Sequence, residues 1–132
     1  MLEYDEDDQF ITRQYFRNYL DEIDLTIVNS SEEVLSYLKE AKLSRKTMPS
    51  LLLLNYNSTP LNAAELLDEV KSDKQLRHIP AVVLSGTIIP GVVADCYSHG
   101  ASSFIQKPAL VEDIDQTIGS FIQYWFRTVE LL

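Results

Sequence analysis

Short, uniformly apolar runs alternate along this chain with longer stretches whose apolar residues recur at helical spacing. The clearest run is Leu51, Leu52, Leu53 and Leu54, bounded by Pro49 and Ser50 on one side and by Asn55 on the other. A run of this length without a polar interruption predicts a strand buried on both faces of a parallel sheet. Residues 25–28, 81–84 and 103–106 read as three further strands, the last two bounded by Pro80 and by Lys107-Pro108. Five helices fall around them. Asp7 or Asp8 caps the first, which runs to about Glu22 with Phe10, Ile11, Tyr15, Phe16, Tyr19, Leu20 and Ile23 as its apolar stripe. Ser30 or Ser31, followed by Glu33, starts the second, with Val34, Leu35 and Leu38 inward. The others span about 62–73, 90–98 and 111–129, the fourth ending at Gly100 after His99.

Strand–helix alternation with short loops predicts an α/β domain, its parallel strands joined by right-handed crossovers with helices on both faces. A strand should feed the first helix, yet only Met1, Leu2, Glu3 and Tyr4 precede it. Either that strand is very short or upstream residues are absent. The 132 residues make one domain, 1–132, without repeat, linker or low-complexity segment.

Composition narrows the function classes. With 45% apolar and 23% charged residues the chain reads as a soluble globular domain. No apolar run nears the roughly 18 residues that would span a bilayer. The amino terminus does not resemble a signal peptide. A single cysteine, Cys96, excludes an internal disulfide and suits a cytoplasmic location. Net charge is −9, from 20 acidic against 11 basic side chains. The one basic stretch, Lys39, Lys42, Arg45 and Lys46, reads as a solvated helix end, so no nucleic-acid partner is expected.

Asn55 is the first polar residue after the four leucines, at the carboxyl end of the sheet, where open α/β folds place their chemistry. From here the chain resembles the receiver domains of two-component response regulators over essentially its whole length. The resemblance rests on the acidic start from Asp5 to Phe10, on "LLLLNYN", on "AELLDEVKSDKQLRHIPAVVLSG" over 64–86, and on "HGASSFIQKPALVEDI" over 99–114. The tail "SFIQYWFRTVELL" resembles the small single-domain regulators that accompany phytochrome-type kinases. The family implies a flavodoxin-like, doubly wound (βα)5 parallel sheet of strand order 2-1-3-4-5, here with a short or truncated first strand.

The resemblance also implies roles. The phosphoacceptor aspartate falls at Asn55, a neutral amide that cannot form an acyl phosphate. The acidic pair that holds Mg²⁺ falls at Glu3 and Tyr4, with the Asn57 carbonyl as a further ligand. Only Glu3 and Asn57 remain of that site, so no cofactor is expected, and Mg²⁺ only if the acidic site functions. A one-residue slip would offer Asp5 instead, although residues 5–8 otherwise read as an acidic helix start. Ser85 matches the hydroxyl that meets the phosphoryl group, and Lys107 the lysine that pairs with it, before a peptide expected to be cis. Phe104 matches the aromatic that swings inward. With a neutral Asn55, Lys107 is expected to bond the Asn55 amide oxygen or Glu3.

Two functions follow. One is a pseudo-receiver, not an enzyme, that meets a sensor histidine kinase or a downstream signalling protein without aspartyl phosphorylation. The other is a phosphorelay regulator normally phosphorylated on aspartate at position 55 and carrying a substitution there. Tyr4 favours the first, because a single knock-out would leave the acidic pair intact. His78 and His99 read as surface residues. A partner face is expected from Tyr97, Tyr124, Trp125 and Phe126, giving a homodimer through the carboxyl-terminal helix. The competing arrangement turns Ile118, Phe121 and Trp125 to the core and leaves only Tyr124 and Phe126 outside.

Overall fold

The computed structural model describes residues 1–44 and 48–132. Five helices, α1 (Glu6–Phe16), α2 (Ser31–Ser44), α3 (Ala63–Ser72), α4 (Pro90–Ser98) and α5 (Val111–Arg127), surround three parallel strands, β1 (Leu52–Asn55), β2 (Ala81–Ser85) and β3 (Ser103–Gln106). The strands lie in the order β1-β2-β3, with Leu52 opposite Ala81 and Val82 opposite Ser103. Beyond β1, Leu2 forms isolated parallel bridges to both Leu54 and Val28. Across the sheet the order is therefore 25–28, 1–3, β1, β2, β3, which is the 2-1-3-4-5 order of the flavodoxin-like fold.

The first strand is short, as expected, and the second is shorter than expected. Residues 25–28 form no regular strand, and only Val28 bridges. Its neighbour supplies just Leu2 and the bonds around it, so the ladder has one rung on that side. The first helix also ends early. It gives way after Phe16 to a 3₁₀ turn over Arg17–Tyr19, and Ile23 N–H bonds back to the Tyr19 carbonyl. Asn18, Asp21 and Asp24 favour such turns over helix interior. Asp5, not Asp7 or Asp8, is the amino-terminal cap, its Oδ1 accepting from Asp8 N–H at 2.9 Å. Ser30 caps α2 through Glu33 N–H, and Asn62 and Glu65 form a capping box on α3. The cis X-Pro bond is Thr59–Pro60, rather than Lys107–Pro108; the small trans preference of X-Pro bonds leaves the isomer to tertiary context.

The core has two compartments, one on each face of the sheet. Leu52 and Leu54 point to α2, α3 and α4, where Leu38, Leu66, Leu67 and Val70 are buried. Leu53 points the other way, to α1 and α5, where Phe16, Phe121, Ile122 and Trp125 close the second compartment. This period-two split explains the run of leucines, since a central strand needs apolar groups on both sides. Gly100 follows α4 at φ +106, where its missing Cβ lets the Lys71 stem pass beneath. Of the basic run, Lys42 pairs with Asp73, while Arg45 and Lys46 lie outside the described residues.

Candidate functional site

The carboxyl ends of β1, β2 and β3 bring Asn55, Ser85 and Lys107 to one edge of the sheet. Asn55 is 5% exposed and its N–H bonds to the Leu2 carbonyl at 3.1 Å, which ties the site to the amino-terminal segment. Its side-chain amide makes no hydrogen bond among the described residues. Ser85 is buried, and its hydroxyl oxygen accepts from Thr87 N–H at 3.3 Å. Lys107 N–H bonds to the Ser85 carbonyl at 2.7 Å, continuing the ladder past β3 and aiming the lysine across the sheet edge.

The lysine reaches two carboxylates. Its Nζ donates to Glu3 Oε2 at 2.7 Å and to Asp8 Oδ2 at 3.0 Å. Glu3 is fully buried, and its other oxygen accepts from Asp5 N–H at 3.1 Å. Burial by itself would lower the Lys107 pKa; the hydrogen bonds to Glu3 and Asp8 outweigh it and hold the value above the ordinary lysine range. Of the two partners expected for Lys107, Glu3 takes it and Asn55 does not. Asp8 was legible only as part of an acidic helix start. Its signal lies in helix geometry: first-turn side chains lean back toward the amino terminus and so over the strand that feeds the helix. Gln9, also missed, bonds both the Glu3 carbonyl and the Asn29 side chain, fixing the 3–9 segment against 28–29.

The remaining expected residues scatter. Tyr4 is 56% exposed and turns out of the pocket, Asp5 is consumed as a cap, and Asn57 is exposed on the loop after β1. Phe104 is half-buried against the α2–α4 compartment, and its N–H donates to the Tyr97 hydroxyl at 3.1 Å, capping a donor on the sheet edge. On the expected partner face, Tyr97 and Tyr124 are exposed. Trp125 is a correction. Only 9% exposed, it belongs to the α1–α5 compartment with Phe121, because the spacing of four turns both to the same helix face. Phe126 packs partly against Phe121, and Tyr124 stands edge-on to Trp125.

No family model matches the chain. Over 67 residues, 51% of this chain, it is 34% identical to the two-component response regulator ARR16 of Arabidopsis thaliana. The chain spans less than two thirds of the length of the first curated relatives it matches, and 41% of that one. Among solved structures it is similar to the phosphorylated cyanobacterial phytochrome response regulator RcpA, with a TM-score of 0.89 and 26% identity over 98% of this chain and 94% of that one. It is equally similar to response regulator RPA3017 of red light signalling in R. palustris, with a TM-score of 0.88 and 25% identity over 99% and 96% of the two chains. The chain is a response-regulator receiver domain. Its structural likeness runs to the phytochrome-associated regulators.

A receiver's Mg²⁺ site needs several anionic oxygens facing one point. This receiver does not supply them. Glu3 is bound to a lysine and a backbone N–H, Tyr4 faces solvent, and Asn55 is uncharged. Among the described residues no group of three or more His, Cys, Asp or Glu side chains could hold a metal ion. The donor set therefore does not fit the ion. The arrangement can hold Lys107 in place and link α1, the amino-terminal segment and the β3–α5 loop.

Proposed function

We propose that this receiver is a pseudo-receiver, a non-enzymatic binding module of two-component signalling that acts through protein contacts without aspartyl phosphorylation or Mg²⁺. One observation carries the reading: Lys107 is held by Glu3 and Asp8, while the acceptor position holds the buried neutral amide of Asn55. A phosphoryl group would have to displace two carboxylates from the lysine and would find no nucleophile. Without that group, nothing draws Ser85 from its bond with Thr87 N–H or Phe104 from its half-buried position, so one conformation persists. The alternative is a phosphorelay regulator with a substituted acceptor. Tyr4 counts against it, because the second acidic position is lost as well.

The partners that suit such a module are a sensor histidine kinase or a downstream signalling protein, in the cytoplasm. Among the described residues no helix is long and apolar enough to cross a membrane. A homodimer through α5 is the proposed assembly, now resting on exposed Tyr97 and Tyr124 with Phe126 at their margin. A monomer in light scattering at tens of micromolar would remove it.

Incubation with an acyl-phosphate donor and Mg²⁺, followed by intact mass spectrometry, tests the main reading. The expected spectrum holds no phosphoryl adduct. An acid-labile adduct would overturn it.

A further inference from the structure

The face of the sheet under α1 and α5 is not fully covered. Val82, on the middle strand β2, is fully buried there. Leu84, two residues further along the same face, is only half-buried, and so is Ile105 beside it on β3. Apolar side chains on a middle parallel strand are normally closed over by the helices above them. A cavity of about 320 Å³ accounts for the opening. Leu53, Leu84 and Ile105, one from each strand, form its floor. Ile11 and Phe16 of α1 stand on one side, and Ile118 and Phe121 of α5 on the other.

The cavity runs lengthwise between the two helices. Asp8 and Phe16 both line it and lie two turns apart on α1, which is about 12 Å at about 1.5 Å per residue. At the Phe16 end, the rings of Phe16 and Phe121 meet edge-on with centroids 6.3 Å apart. The Asp8 end is charged. Glu3, Asp8 and Lys107 are the charged side chains of the lining, two carboxylates against one ammonium. Lys107 Nζ donates to Glu3 Oε2 and Asp8 Oδ2, and Glu3 Oε1 accepts from Asp5 N–H. Of these carboxylate oxygens, Asp8 Oδ1 alone meets no hydrogen-bond partner among the described residues, and the Asp8 side chain is 45% exposed.

We propose that the cavity is a site for a small amphiphilic amine, its ammonium on Asp8 Oδ1 and its apolar chain between α1 and α5 over Leu84 and Ile105. The volume stands at the small end of ligand sites, which run from about 300 to 1,000 Å³. An anionic head would meet two carboxylates and a lysine that they already hold. A neutral head would leave the excess negative charge unanswered. A cation at Asp8 Oδ1 balances the cluster and makes a charge-assisted hydrogen bond, stronger than a neutral one. Covering Leu84 and Ile105 supplies the rest of the affinity, because it takes their apolar surface out of water.

Hexylamine, hexanol and hexanoate, titrated separately at neutral pH, test the site. The methyl signals of Leu84, Ile105 and Ile118 are followed by NMR, with those of Leu66 and Leu67 in the opposite compartment as the control. Hexylamine is expected to give saturable shifts confined to the first group and to bind about tenfold tighter than hexanol, with hexanoate weakest. Asp8→Asn should bring hexylamine down to the affinity of hexanol and leave hexanol unchanged. Ile118→Trp, which fills the cavity, should abolish both; if that variant does not fold, Asp8→Asn still decides. The chain's net charge of −9 attracts any amine loosely, so shifts that do not saturate, or that reach Leu66 and Leu67 equally, overturn the proposal. Hexanol or hexanoate binding as tightly as hexylamine overturns it too, as does an undiminished amine preference in Asp8→Asn.

Discussion

Lys107 and Glu3 lie 104 residues apart in the chain and 2.7 Å apart in space. The pair closes the sheet edge by linking the amino-terminal segment to the β3–α5 loop, and Asp8 adds α1 to the same lysine. In the proposed reading these two carboxylates take the place on Lys107 that a phosphoryl group would occupy.

Removing the buried member should be costly. Glu3→Gln leaves Lys107 with Asp8 alone, and about 2 kcal/mol of stability is expected to go. Urea denaturation reads the loss. Because the folded lysine titrates above its ordinary 10.5, the clamp is complete below that pH and lost as pH rises through the folded value. The double variant with Lys107→Met should lose less than the sum of the two single changes, since neither charge is then stranded. Additive losses would mean that the two residues do not act on each other.

Restoring the acceptor tests the other half of the pocket. Asn55→Asp places a carboxylate at the end of β1, but the outward Tyr4 and the engaged Glu3 still leave Mg²⁺ without its ligands. Little acyl phosphate is expected from that variant by intact mass, and more once Tyr4→Asp is added. Full phosphorylation of Asn55→Asp alone would show that Tyr4 is irrelevant to the metal.

The aromatic end of α5 divides by burial. Trp125→Ala empties part of the α1–α5 compartment and should cost about 3–5 kcal/mol. Tyr124→Ala, on the exposed side, should change stability by less than about 0.5 kcal/mol. Chemical denaturation separates the two. Tyr124→Ala is the variant for testing the proposed dimer, since it leaves the fold intact.

A weak pH dependence should arise at the end of α4. His99 Nδ1 donates to the Asp95 carbonyl at 2.7 Å, and its ring lies near the Asp68 and Asp95 carboxylates, so its pKa rises above the ordinary 6.5, the backbone bond being the first cause. A group with a raised folded pKa stabilises fully below its unfolded value and loses that contribution as pH climbs through the folded one. Stability should therefore decline slightly above about pH 6.5. His99→Gln should flatten that slope in melting curves taken between pH 5.5 and 8.

Much of this fold was legible in the linear pattern. The leucine run, the alternation of strand and helix, and the cap at Ser30 are local signals, written in neighbouring residues and obeyed in the structure. The positions of Asn55, Ser85 and Lys107 at one sheet edge follow from that alternation, because each comes at or just after the end of a strand. The length of the strand expected over residues 25–28 did not follow. Residues 25–28 have strand composition, but a strand needs a partner of equal length, and Met1–Glu3 offer one rung.

The sequence by itself determined the fold class and the loss of the acceptor carboxylate, since both depend on residue type and spacing alone. Tertiary structure decided which groups answer the charge of Lys107 and which side of α5 Trp125 occupies. These outcomes depend on groups remote in the chain: Glu3 and Asp8 for the lysine, and Phe16 and Phe121 for the tryptophan. No local pattern carries such distances, because they are set by how the strands stack.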